Sequence, residues 1–448
     1  MNIWTRSSVD SFRRNTLATL VFSAAALICP SLEAEPSLSL QAPRDLVWAD
    51  FLGVNAQLLW FDEAQYRIQL DRLQDLGLNW VRVDLHWDRL ELAPGQWRLT
   101  EMDRMAEVLA EKNVQSLLFM VGSASFASSA PAGTSNADQY PPVSVEQFAD
   151  SMAYLAARYP VVDAWQVWNE QNIPPFWQPA EDPAGYSHLL EVSLDRLEAA
   201  NPAAQRVMGG MAYYSQMPVQ GGLMFEALGQ LGSIGNDRVA AYHPYSLSPE
   251  GDEVADKDFI LRGTVLNQQL RMRNAQSIWA TEFGWSSYSG PVEWQPLIGE
   301  QGQADYLLKR IALMSAMDYD RIFLFNLSDL DARATLRDQH YGLLRLDGTK
   351  KPAYKALKRF LNITGPRLTP QVAPAFTDAP AGMLSMAWQR ADGRWVWVFW
   401  AQQPGTVILA RQGSMTLHNP LRGTTQNLNA GAAGLEVNVS TEMQIIVM

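Results

Sequence analysis

The sequence predicts an α/β chain, a (β/α)8 TIM barrel followed by a small C-terminal β-sandwich. Its 448 residues exceed what one typical domain needs. From about residue 45 to 365, short apolar runs alternate with amphipathic stretches, the pattern of βα units on a parallel sheet. After Gly365 the punctuation turns Pro- and Gly-rich around short alternating runs, as in an all-β module.

Residues 1–34 stand apart. Arg13 and Arg14 precede an apolar stretch of 14 residues, Thr16 to Cys29, followed by Pro30 and the small Ala34. This reads as an export signal, too short for the roughly 20 residues that span a bilayer. The chain is therefore expected to be periplasmic or secreted, with a retained anchor attaching it to the inner membrane as the alternative.

Eight apolar runs of barrel-strand length follow: Phe51–Val54, Trp80–Val83, Ser116–Val121, Trp165–Trp168, Val207–Gly210, Val239–Tyr242, Ile278–Thr281 and Ile322–Phe325. Between them Tyr66/Leu70/Leu73, Phe148/Met152/Leu155 and Leu307/Ile311/Met314 recur at i, i+4, i+7, which lays an apolar stripe along a helix. Gly77 supplies a left-handed stop, Asn201-Pro202 closes a helix and Lys351-Pro352 opens one. In the C-terminal module, residues 366–448, Leu384–Gln389, Trp395–Phe399, Thr406–Leu409, Leu435–Val439 and Met443–Val447 read as strands.

Composition removes several functions. A net charge of −12 repels polyanions, so no nucleic-acid partner is expected. One cysteine, Cys29, and five histidines without paired spacing leave no expected metal site. The acidic segments Asp329-Leu330-Asp331 and Gly251-Asp252-Glu253 lack spaced metal ligands and read as solvated loops. There is no Gly-x-Ser-x-Gly elbow, phosphate-cradling loop or dinucleotide fingerprint, and no cofactor is expected. A monomer is expected.

A barrel of this class carries its site at the carboxyl ends of its strands. Glu170 ends the fourth apolar run after Asn169, and Glu282 ends the seventh. A single such glutamate is usually an ordinary surface acid; two in matching positions suit glycosidic bond cleavage with retention, which needs a proton donor and a carboxylate nucleophile about 5–5.5 Å apart. Apolar aromatic neighbours would raise the pKa of Glu170, and Arg82, ending strand two, would keep Glu282 ionised. Trp60, Trp87, Trp177, Tyr213, Tyr214, Trp285, Tyr288 and Trp294 fall in expected loops, where rings could stack on sugars. Trp177 and Trp285 lead that set, because sixteen tryptophans exceed what a core needs.

The segments Trp168-Asn169-Glu170-Gln171-Asn172 and Thr281-Glu282-Phe283-Gly284-Trp285 resemble the two signatures of the largest barrel clan of retaining glycosidases, and within it the chain resembles glycoside hydrolase family 39. Further resemblance lies in Phe51–Gln57, Leu85–Glu91, Tyr242–Tyr245 and Ile322–Phe325. The resemblance implies Glu170 as acid/base, Glu282 as nucleophile, Asn169 on the sugar 2-hydroxyl, Arg82 holding Glu282 charged, and His243 and Tyr245 lining the same pocket; His86 and the loop aromatic Tyr213 complete the candidate substrate-binding residues. It implies an endo-acting enzyme whose partner is a bacterial exopolysaccharide containing mannose, glucose and rhamnose. Phe325 stands in the region where many clan members place a tryptophan under the reacting sugar. Two alternatives stay open: a polysaccharide-binding or assembly protein without turnover, and a transglycosylase. The C-terminal module would brace the barrel or bind sugar, with bracing favoured.

Overall fold

The computed structural model describes residues 37–254, 256–291 and 295–448. The expected export segment, Cys29 and Trp294 lie outside the described residues.

Eight parallel strands close into a barrel: Leu52–Asn55, Trp80–His86, Gln115–Val121, Ala164–Asn169, Gln205–Ala212, Val239–His243, Ser277–Phe283 and Arg321–Leu324. Each pairs with its successor, and the eighth closes on the first through Ile322 opposite Leu52. Each overlaps one of the expected apolar runs.

An interior layer of Trp80, Leu117, Ala164, Val207, Val239, Ala241, Trp279 and Phe323 plugs the barrel. Trp80, Ala164 and Val239 open their strands, so the plug sits toward the amino ends and leaves the carboxyl ends free. Its aromatic rings meet edge-on, Trp80 to Trp279 at 6.0 Å and Trp80 to Phe323 at 6.3 Å. Gly53 makes room for them: a Cβ there would lie 2.5 Å from the Phe323 ring.

The helices form where periodicity and caps coincide. Helix Glu63–Asp75 starts in a reciprocal capping box between Asp62 and Gln65, buries Tyr66, Leu70 and Leu73, and stops at Gly77, whose φ is +76°. Val145–Arg158 buries Phe148, Met152 and Leu155; Gly299–Ser315 buries Leu307, Ile311 and Met314. Pro183–Ala200 ends at Asn201, and Pro352–Thr364 opens on its proline.

Beyond the last helix, a three-stranded antiparallel sheet (Phe376–Thr377, Gly405–Leu409, Leu435–Val439) packs on an eight-stranded one. The larger sheet takes in two strands from ahead of the barrel, Leu38–Leu40 beside Leu384–Met386 and Leu46–Val47 beside Arg367–Leu368. This module therefore contains more than residues 366–448. Strand Trp395–Trp400 explains how it sits: Trp397 and Phe399 point into the sandwich, while Val396, Val398 and Trp400 join the core shared with the barrel. Both faces of the strand are buried, so it reads as an unbroken apolar run.

Candidate active site

Strand four ends at Asn169, and Glu170 follows with φ at +48°, two residues after Trp168 at +73°. Left-handed backbone at non-glycine residues costs about 1–3 kcal/mol each and persists only where its surroundings over-determine it. Here the Glu170 N–H donates to Gly210 O at 2.9 Å, and the buried Trp168 indole donates to Phe176 O at 2.9 Å. Held this way, Glu170 meets Glu282 of strand seven over the barrel mouth. One carboxylate oxygen from each lies within 4.8 Å of the other, and each side chain keeps 12% exposure, enough to touch a ligand.

The two carboxyls sit in opposed fields. Burial pushes the Glu170 pKa up, and the Glu282 charge adds to it, more than His243 and Arg82 can offset. Burial works against Glu282 as well, but there His243, Arg82 and the Tyr245 hydroxyl outweigh it and bring its pKa below the usual value. Arg82 is buried on the ring face of Phe119, 3.8 Å from its centre. It donates to Glu282 Oε1 at 2.6 Å, Asn55 Oδ1 at 2.8 Å, Gln166 Oε1 at 2.9 Å and Asn169 Oδ1 at 2.7 Å. With its oxygen accepting from Arg82, Asn169 lines the cavity with its amide nitrogen as its remaining polar group. The Tyr245 hydroxyl donates to Glu282 Oε2 at 3.1 Å.

His243 corrects one expectation. It lies fully buried beneath the carboxylates rather than lining the pocket, with Nδ1 2.8 Å from Glu170 Oε1 and Nε2 3.0 Å from Thr281 Oγ1. Gly210 on strand five makes its place, since a Cβ there would overlap both His243 Nε2 and Thr281 Oγ1. Gly210→Ala is expected to cost about 1–3 kcal/mol of stability through this overpacking and to lower kcat by displacing His243 from Glu170. Urea unfolding and steady-state kinetics on the same preparation check it.

The cavity above the glutamates measures about 260 Å³, at the small end for ligand clefts. Asn169, Glu170, Tyr213, Tyr245, Glu282 and His86 line it, together with Asp84, Phe119, Phe176, Phe325, Arg337 and Tyr341. Phe325 lies edge-on to Tyr341, 5.3 Å between ring centres. Asp84 is 3.3 Å from His86, whose hydrogen bond and charge outweigh the effect of burial and lower its pKa. A charged acceptor therefore faces the glutamates. It was legible in principle: Arg82, Asp84 and His86 alternate on one strand and share a face. The contributions of Arg337 and Tyr341, from the loop after strand eight, carry no motif.

Trp177 and Trp285 do not reach the cavity. Trp177 is wedged edge-on between Trp168 at 5.2 Å and Tyr186 at 5.9 Å, with 2% of it exposed. Trp285 is buried and donates its indole N–H to Ser246 O at 2.9 Å and Leu247 O at 3.1 Å. Neither offers a ring face to a ligand. Most of the apparent surplus of tryptophan is core: Trp80, Trp87, Trp165, Trp168, Trp279, Trp388, Trp397 and Trp400 are all fully buried. Asp329 is likewise no solvated loop acid; it is buried and accepts from the buried Lys351 Nζ at 2.6 Å.

Glu170, His243 and Glu282 are the one grouping of potential metal ligands among the described residues. The Arg82 guanidinium, 2.6 Å from Glu282, already supplies the positive charge a cation would bring and would repel it.

No family model matches the chain, and no curated protein does. Among solved structures, it is similar to a family 39 glycoside hydrolase from Bacteroides cellulosilyticus WH2, with TM-score 0.68 and 20% identity over 89% of this chain and 80% of that one. It is similar to the GH39 enzyme from Xanthomonas axonopodis pv. citri, with TM-score 0.60 and 16% identity over 92% and 97%. A GH30 endoxylanase from Clostridium papyrosolvens C71 aligns with TM-score 0.59 and 12% identity over 92% and 98%. At these identities the likeness establishes the fold.

Proposed function

We propose that the chain is a retaining glycoside hydrolase. The observation that carries this reading is the pair Glu170 and Glu282, with oxygens within 4.8 Å of each other and pKa values driven apart. An inverting pair would stand about 6.5–9.5 Å apart to admit a water. Glu170, kept protonated, gives its proton to the leaving glycosidic oxygen while Glu282 attacks the anomeric carbon and forms a glycosyl-enzyme ester. Glu170, now a carboxylate, takes a proton from water, whose oxygen displaces Glu282 and restores both groups. The Asn169 amide would donate to the sugar 2-hydroxyl, and Asp84 would accept from another hydroxyl. The glycosidases among the similar folds support this reading.

The substrate we propose is a bacterial exopolysaccharide containing mannose, glucose and rhamnose, cut internally. This rests on sequence resemblance to PslG, the biofilm-exopolysaccharide glycosidase of pseudomonads. We propose export to the periplasm or beyond on the reading of residues 1–34 as a signal, with attachment to the inner membrane through that segment as the alternative.

Activity is expected to be bell-shaped in pH. It rises as Glu282 ionises, below the ordinary glutamate range, and falls as Glu170 loses its proton, above that range; the profile of kcat/KM checks both limbs. The functional test is reducing-end release from purified exopolysaccharide by wild type, Glu170→Gln and Glu282→Gln, with binding measured in parallel. Cutting by wild type alone, with binding by all three, is expected. Binding by all three without cutting by wild type would replace hydrolysis with a binding or transglycosylase role.

A further inference from the structure

Tyr245, which bonds the Glu282 carboxylate, stands in the loop that leaves strand six, and that loop is gripped from three sides. From helix Gly299–Ser315, the buried Arg310 donates to Pro244 O at 2.7 Å, Pro249 O at 2.9 Å and Ser248 O at 3.0 Å, and also to Ser246 Oγ. From the loop after strand seven, Trp285 donates to Ser246 O and Leu247 O. The third grip comes from the sheet module: Trp400 donates its indole N–H to Glu250 Oε1 at 2.7 Å, and Gln402 donates to Val254 O at 2.8 Å.

The first two grips are internal to the barrel, but the third joins separate modules across a sequence separation of 150 residues. The indole N–H and the Glu250 carboxylate satisfy each other, and both partners are almost fully enclosed, so loss of either leaves the other buried and unpaired. Glu250 is five residues from Tyr245, and between them Ser246 and Ser248 tie the loop back on itself through Ser248 O and Gly251 O. Such a short, internally bonded segment transmits the position of one end to the other.

We infer that, with Glu282 as the nucleophile proposed above, the sheet module positions it: Trp400 and Glu250 anchor the strand-six loop so that the Tyr245 hydroxyl stays on the reacting carboxylate. Trp400 and Glu250 are positioning residues. The module then acts on the nucleophile only through the loop, without touching substrate.

Trp400→Phe keeps most of the packing and removes the N–H. It is expected to lower kcat about three- to tenfold with KM within about twofold, and to lose that effect in a Tyr245→Phe background, since both changes act on one bond. Glu250→Gln, which retains an acceptor, should stay within about twofold of wild type, whereas Glu250→Ala should match Trp400→Phe. Hydrogen exchange gives a readout independent of turnover, with faster exchange expected in Trp400→Phe across residues 244–254 than elsewhere in the barrel. Unchanged exchange there, or a Trp400→Phe loss that persists undiminished beside Tyr245→Phe, overturns the inference. A wild type inert toward polysaccharide and aryl glycosides alike would instead overturn the glycosidase reading, and exchange would still decide whether the module holds the loop.

Discussion

Glu282→Gln is expected to lower kcat on polysaccharide by about 10⁴-fold or more, the scale on which loss of a covalent nucleophile is felt, with binding retained. The amide keeps an oxygen for the Arg82 donor 2.6 Å away but cannot form the ester. Glu170→Gln should behave differently. Its cost should be about 10²–10⁴-fold on the natural substrate and much smaller for the first step on an aryl glycoside with a good leaving group, which needs no proton. With the base gone, the second step slows, and azide, which needs no deprotonation, should restore turnover to Glu170→Gln and not to Glu282→Gln. Steady-state and burst kinetics on both classes of substrate check the asymmetry.

Arg82→Met is expected to be the most damaging substitution away from the glutamates. Arg82 is buried and satisfies the acceptors of Asn55, Gln166, Asn169 and Glu282 together. Removing one partner of a buried ion pair costs about 3–5 kcal/mol, because the other charge stays behind uncompensated. The sign of the pH effect follows. Arg82 is one of the groups that lower the Glu282 pKa against burial, so without it that pKa rises and the acid limb of kcat/KM moves to higher pH. The Glu170 limb should move upward too, since Arg82 also lowers that pKa. Urea unfolding and the pH profile of the same variant separate the structural from the electrostatic loss.

Much of this was legible in the residues. The barrel could be counted because each strand is a short apolar run between helices with their own stripes and caps, and Glu170 and Glu282 stood at two of its ends. Arg82 could be named as the cation beside Glu282, although it lies inside strand Trp80–His86 and not, as expected, at its end. What stayed hidden depended on contacts distant in sequence. Leu38–Leu40 and Leu46–Val47 are too short to read as strands and become so only by pairing with residues more than three hundred positions away. Tryptophan after a strand looks the same whether it faces a groove or a helix; Trp177 and Trp285 turned out to face neighbours. His243 appeared as a pocket residue because its burial under the carboxylates depends on Gly210, one strand away, having no side chain. Asp329 looked solvated because its partner Lys351 enters from the start of the last helix.

Double displacement requires Glu282 to become covalently glycosylated during turnover. The most direct measurement is mass spectrometry of Glu170→Gln quenched in acid while it turns over an activated aryl glycoside, followed by digestion and peptide mapping. One added glycosyl unit is expected on the peptide containing Glu282, and none when Glu282→Gln is introduced as well. Rapid aglycone release with no adduct, or an adduct on any other residue, would contradict double displacement through Glu282.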